Sequence, residues 1–154
     1  MDSIEKKLQH KLIALPVPTD PLGNYVPVQM VDTIAYVSGQ LPLVDNALIN
    51  YRGRLGREIN LENGQRAAKA CILNALGHLK KRLGSLDKIK RIVKMTGFVS
   101  VMPGYKDHAK VMDGASDFLV ELWGEAGKHA RSTVGVSDLP MGACIEIELM
   151  VELK

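Results

Sequence analysis

The clearest pattern of hydrophobic and polar positions lies at the C-terminal end. Ala143, Ile145, Ile147, Leu149 and Val151 point one way, and Cys144, Glu146, Glu148, Met150 and Glu152 the other. Strict period two over that length predicts a strand with one face on a core. Ala68, Ile72, Ala75, Leu76, Leu79 and Leu83 instead form one apolar stripe at helical spacing. Asn60 or Asn63 can cap that helix, Gly84 ends it, and Lys80, Lys81 and Arg82 fill its last turn, where the helix dipole favours cations. A second helix carries Ala115, Phe118, Leu119 and Leu122 and stops at Gly124 and Gly127.

Between the helices, Ile89 to Val101 alternates, with Ile89, Val93, Met95, Val99 and Val101 on one face and Lys88, Lys90, Lys94, Thr96 and Ser100 on the other. Ile34 to Ser38 reads as a strand entering the turn Ser38-Gly39-Gln40-Leu41-Pro42, Val44 to Asn60 as a long loop, and Ala130 to Ser137 as a strand. Ser3 to Leu15 fits a short helix capped by Ser3, stopped by an arm carrying Pro16, Pro18 and Pro21. Strands interleaved with two amphipathic helices predict an α+β, two-layer sandwich: a mixed β-sheet covered on one face, its other face polar. Residues 1–22 would be an N-terminal helix and arm, and residues 23–154 a single domain.

The sequence has 154 residues, 46% of them hydrophobic and 24% charged, which excludes a disordered or collagenous chain. No apolar run approaches the ~20 residues of a membrane span. The N-terminal stretch has no apolar h-region, so no secretory signal is expected and the expected location is cytoplasmic. Cys71 and Cys144 form no metal or redox motif and read as reduced thiols. A net charge of +3 with 5% aromatic residues argues against nucleic acid as the main partner.

Candidate chemistry centres on the last two strands. If Asp138 to Gly142 closes a hairpin, Val136 faces Ala143 and Val134 faces Ile145 on the helix side. Thr133 then faces Glu146, and Arg131 faces Glu148, on the polar side. An arginine fork there can bind a carboxylate bidentately, and a neighbouring carboxylate can orient or deprotonate a water. The same pair also fits a plain surface salt bridge worth ~0.5 kcal/mol.

Other signals are weaker. His10, His78, His108 and His129 show no zinc-ligand spacing, and no metal is expected. Gly124-Glu125-Ala126-Gly127-Lys128 is too short for a P-loop and ends a helix instead of starting one. Gly53-Arg54-Leu55-Gly56 matches a GxxG clamp but lies outside any helix-turn-helix frame. Cys144 has no base in reach by sequence logic.

Arg131-Ser132-Thr133-Val134-Gly135-Val136-Ser137-Asp138-Leu139-Pro140, followed by Ile145-Glu146-Ile147-Glu148, resembles the signature of the reactive intermediate deaminase family, also called the YjgF or L-PSP endoribonuclease family. Ser38-Gly39-Gln40-Leu41-Pro42 is similar to its SGQ-x-P turn and Gly23-Asn24-Tyr25 to its N-terminal G-x-Y, so the likeness runs from about Gly23 to Lys154. The resemblance implies a chorismate-mutase-like fold, a homotrimer with clefts between subunits, and hydrolysis of 2-iminopropionate-type enamine or imine acids to 2-oxo acids and ammonia, without cofactor. It implies that Arg131 holds the substrate carboxylate and Glu146 positions water. Tyr25 of a neighbouring subunit would close the cleft, and the backbone around Ser38, Gly39 and Thr133 would meet the nitrogen end. Thr133 stands where many members have Cys and Pro103 where many have Asn, as in a side branch with an N-terminal extension. Two other readings are a regulatory module that binds a small carboxylate without turnover, and a single-strand endoribonuclease using Lys88, Lys90 and Lys94.

Overall fold

The computed structural model describes residues 3–154; Met1 and Asp2, the start of the stretch in which no export signal is visible, lie outside the described residues. The element order is α1 (Ile4–His10), β1 (Val28–Val31), β2 (Ile34–Gln40), α2 (Leu61–Leu83), β3 (Ile89–Ser100), α3 (His108–Trp123), β4 (Ala130–Val136) and β5 (Ile145–Leu153). The strands form one mixed sheet in the order β1-β2-β5-β3-β4. The α+β reading therefore holds, with α2 and α3 as its two long helices.

Local signals set most boundaries. Asn60 Oδ1 accepts from the Asn63 amide at 2.8 Å, and Gly84, at φ 86°, ends α2 in a conformation that L side chains avoid. Ser3 caps α1 by accepting from the Lys6 amide at 3.1 Å. That helix stops at His10 rather than reaching Leu15, and Leu12 projects into solvent. Ile4 and Leu8 of α1 nevertheless join the hydrophobic core, and the Ile4 amide donates to Asp87 Oδ1 at 2.8 Å. The core lies between the helices and one sheet face, where Ala35, Met95, Val99, Ile147, Leu149 and Val151 meet Ile72, Leu76, Leu79, Met112 and Leu119.

Four expectations are corrected. First, β4 and β5 do not form a hairpin. β4 pairs in parallel with β3, and β5 lies antiparallel between β2 and β3, so β3 separates the two. The Asp138–Gly142 segment is instead a tight turn with a short 3₁₀ stretch at Pro140–Gly142. Second, the faces of β4 are inverted. Arg131, Thr133 and Gly135 lie on the helix side, in line with Met95, Gly97 and Val99, while Val134 lies on the open face, 45% exposed. Third, two irregularities in β3 put Ile92, not Val93, into the core. Fourth, Cys144 precedes β5 and is fully buried instead of sharing the polar face of Glu146. The sequence predicts extended chain only up to Tyr25 and assigns no element to Val28–Val31, which forms the short strand β1.

Candidate functional site

Two clusters of polar groups emerge, on opposite faces of the sheet. The first gathers Ser38, Gly39 and Glu146 on the open face. Strand β2 is irregular between Val37 and Gln40, and there the chain runs directly against the Glu146 side chain. A Cβ at Gly39 would collide with Glu146 Oε1 and come within 2.9 Å of its Cδ, so only glycine leaves the carboxyl its place. Two motifs a hundred residues apart in sequence thus meet. Burial, followed by repulsion from Glu148, raises the pKa of Glu146. Ser38 is engaged structurally: its hydroxyl donates to the Val26 carbonyl at 2.7 Å and its amide to the Pro27 carbonyl at 2.9 Å. This ties the Tyr25-Val26 segment to the same place, with the Tyr25 ring folded over Gly23 and largely exposed.

The second cluster lines a groove of ≈ 430 Å³ between β4 and the start of α3, bounded by Lys106, His108, Ala109, Arg131, Thr133 and Gly135. Arg131 Nη1 donates to Asp113 Oδ1 at 2.9 Å and to Ser116 Oγ at 3.1 Å, and Nη2 donates to the Ala109 carbonyl at 3.4 Å. A guanidinium has five N–H donors. These contacts occupy the Nη1 edge and leave Nε–H and one Nη2–H without a hydrogen bond among the described residues, on the edge of the guanidinium that can meet a carboxylate. Asp113 therefore holds the guanidinium in place without blocking its fork.

Behind it stands His129. Its Nδ1 lies 2.7 Å from the Gly127 carbonyl, which can only accept, so Nδ1 carries the proton. Nε2, 3.0 Å from Ser116 Oγ, is then the acceptor. Burial lowers the pKa of His129, the hydrogen bond to the Gly127 carbonyl opposes it, and the Arg131 charge adds a smaller push downward. The result is a chain from Gly127 through His129 and Ser116 to Arg131. Thr133 Oγ1 is buried with no hydrogen-bond partner.

The structure thus brings Ser38, Gly39 and Glu146 together and places Arg131 with Thr133, but it does not join the two sets within one chain. Glu146 shares a row with Phe98 and Val134, whereas Arg131 shares one with Met95 and Leu149 on the other face. The sequence does not flag Asp113 or Ser116, and His129 enters it only as a histidine without zinc-ligand spacing. A usable signal exists: Ala109, Asp113 and Ser116 recur at i, i+4 and i+7, so one helix face presents all three to the neighbouring strand. Cys144 is poorly suited to act as a nucleophile, because burial pushes its thiol up to about 12. Of the lysines named for RNA, Lys88 donates to the Leu83 carbonyl and Lys90 pairs with Glu152.

The α+β fold that carries both clusters agrees with comparisons across known proteins. A family described as "YjgF/chorismate_mutase-like, putative endoribonuclease" matches residues 5–153, which includes most of the N-terminal arm. The chain is 39% identical over 152 residues to Protein TCP17 of Trypanosoma cruzi, covering 98% of this chain and 94% of that one. The crystal structure of Atu1372 from Agrobacterium tumefaciens superposes with a TM-score of 0.91 at 38% identity, covering 98% of this chain and 92% of that one. The crystal structure of "a putative endoribonuclease" from Shewanella oneidensis MR-1 superposes with a TM-score of 0.94 at 34% identity, covering 99% of this chain and 100% of that one. The chain belongs to the YjgF/chorismate mutase-like endoribonuclease family. No helix among the described residues is long and apolar enough to cross a membrane.

Proposed function

We propose that the protein hydrolyses small 2-imino acids of the 2-iminopropionate type to 2-oxo acids and ammonia, in clefts formed where copies of the chain meet. The observation that carries this reading is the separation of the two clusters. A free arginine fork opens into a groove at the β4 edge. A half-buried carboxyl with a raised pKa stands on the other face, in space that Gly39 leaves vacant. Two unlike patches that must meet make a head-to-tail contact, which generates a ring where the rotation between copies closes. A homotrimer is the ring this reading adopts.

In such a cleft Arg131 binds the substrate carboxylate and fixes the imine carbon in reach of a water held by Glu146 of the adjoining copy. Glu146 takes a proton from that water as its oxygen bonds to the imine carbon, and the nitrogen gains a proton. The carbinolamine then collapses: Glu146 returns the proton it took to the amine nitrogen, the C–N bond breaks with its electron pair on nitrogen, ammonia leaves, and the hydroxyl gives up its proton to water as the C=O bond forms. A carboxyl with a raised pKa suits both proton transfers near neutrality. No metal or cofactor is required by this chemistry, because orientation and proton transfer supply the acceleration.

The test generates 2-imino acids in situ by enzymatic oxidation of amino acids and traps the remaining imine with semicarbazide. Wild type is expected to shorten imine lifetime, and Arg131→Ala to lose nearly all of that effect. An Arg131→Ala variant as active as wild type overturns the mechanism. Co-expressing Arg131→Ala with Glu146→Gln should restore up to about a quarter of wild-type activity, since some interfaces then pair an intact Arg131 with an intact Glu146. No recovery would place both groups' action within one chain and sink the shared cleft.

A further inference from the structure

The groove beside β4 carries more positive charge than a substrate with one carboxylate can use. Arg131 is already offset in charge by Asp113, yet Lys106, on the rim of the same groove, makes no ion pair among the described residues. No acidic side chain lines the groove. His108 is held over the strand from two sides. Its ring meets Tyr105 edge-on, with centroids 5.6 Å apart. It also lies so close over Gly135 that a Cβ there would stand 2.7 Å from Nε2. Arg131, Thr133 and Gly135 follow one another on the same side of β4, so the groove floor spans about 13 Å from Arg131 to Gly135. Midway, the buried Thr133 hydroxyl lacks a partner. A buried hydroxyl left unsatisfied is costly, and a ligand oxygen in the groove would satisfy it.

We propose that this groove recognises a small dicarboxylic acid: one carboxylate sits on the Nε/Nη2 fork of Arg131, the second is met by the Lys106 ammonium and the His108 ring, and Thr133 bonds the ligand between them. The inference rests on the hydrolase reading for its chemistry, narrowing the substrate to acidic 2-imino acids, but its binding test stands apart from turnover. The ketone products are stable and serve as probes. Calorimetric titration at fixed ionic strength compares 2-oxoglutarate, with two carboxylates, and 2-oxobutanoate, with one.

Wild type is expected to bind 2-oxoglutarate at least about tenfold more tightly. Lys106→Met should erase most of that preference by weakening 2-oxoglutarate far more than 2-oxobutanoate, and Lys106→Arg should keep it. Arg131→Ala should weaken both ligands. Equal affinities in wild type, absent binding of 2-oxoglutarate, or a preference untouched by Lys106→Met would each overturn the proposal. If the preference holds but no imine is hydrolysed, the hydrolase reading fails and this one survives. If monocarboxylic imines are hydrolysed with no advantage for acidic ones, only this one fails.

Discussion

Strands β5 and β4 show how position in a sheet decides what a residue may do. In β5, flanked by β2 and β3, the helix-side positions Ile145, Ile147, Leu149 and Val151 are at most 1% exposed. The same side of β4 carries Arg131, Thr133 and Gly135 and borders an open groove. Both strands contribute a helix-side face, yet only the central one is covered. At the edge, the layer of helices runs out, and side chains that would be crippling in the core can hold charge and meet a ligand. The packed core and the Arg131 groove thus occupy one side of one sheet, separated by two strand widths, or about 10 Å.

The largest test of that contrast is a pair of truncations. Leu149→Ala should cost about 2–5 kcal/mol in urea unfolding, because it opens a cavity in a packed core. Val134→Ala, on the open face, should cost less than about 0.5 kcal/mol in dilute protein. A large loss at Val134 that grows with protein concentration would mean that another copy covers the open face.

A smaller effect is expected at Gly39. Its added methyl would displace the end of the flexible Glu146 side chain, which can move at little cost, so stability should fall by less than about 1 kcal/mol. Turnover should nevertheless fall at least about tenfold, because the carboxyl is no longer aimed. Unchanged kcat in Gly39→Ala would remove Glu146 placement from the mechanism.

The smallest shift comes from charge. Since the folded chain raises the pKa of Glu146, it binds that proton more tightly than the unfolded chain does. The resulting stability is full below the ordinary value of 4.5 and is lost as pH rises through the folded value, leaving ionised Glu146 a burden at neutral pH. Glu146→Gln should therefore raise Tm by about 2 °C at pH 7.5, with the gap closing as the pH approaches 4.5. A Tm gap independent of pH would show that Glu146 is not the titrating group.

Much of this plan could be read from the chain. The α2 stripe between Asn60 and Gly84, the alternation of β5, and the amphipathic α3 are local patterns, and local patterns survive folding. Arg131 and Glu146 stand out through motifs that resemble the family signature, since the hairpin expected to pair their strands does not form. What could not be read is which strand pairs with which. A turn such as Asp138–Gly142 suits a hairpin, but β4 is the second strand of a β3-α3-β4 crossover and lies parallel to β3. Nothing in the spacing of Arg131 or Glu148 distinguishes these pairings, and choosing the nearer partner reversed every side chain of β4. The irregularities in β3 and the four-residue β1 were hidden likewise, because each is settled by contacts distant in sequence.

Since β4 is bonded along one flank only, every second amide and carbonyl on it looks outward. Those groups form a ready reporter. Deuterium uptake along Ala130–Val136, followed while the protein is diluted, would reveal whether that flank is wrapped by a companion or left bare, without any substrate in the tube.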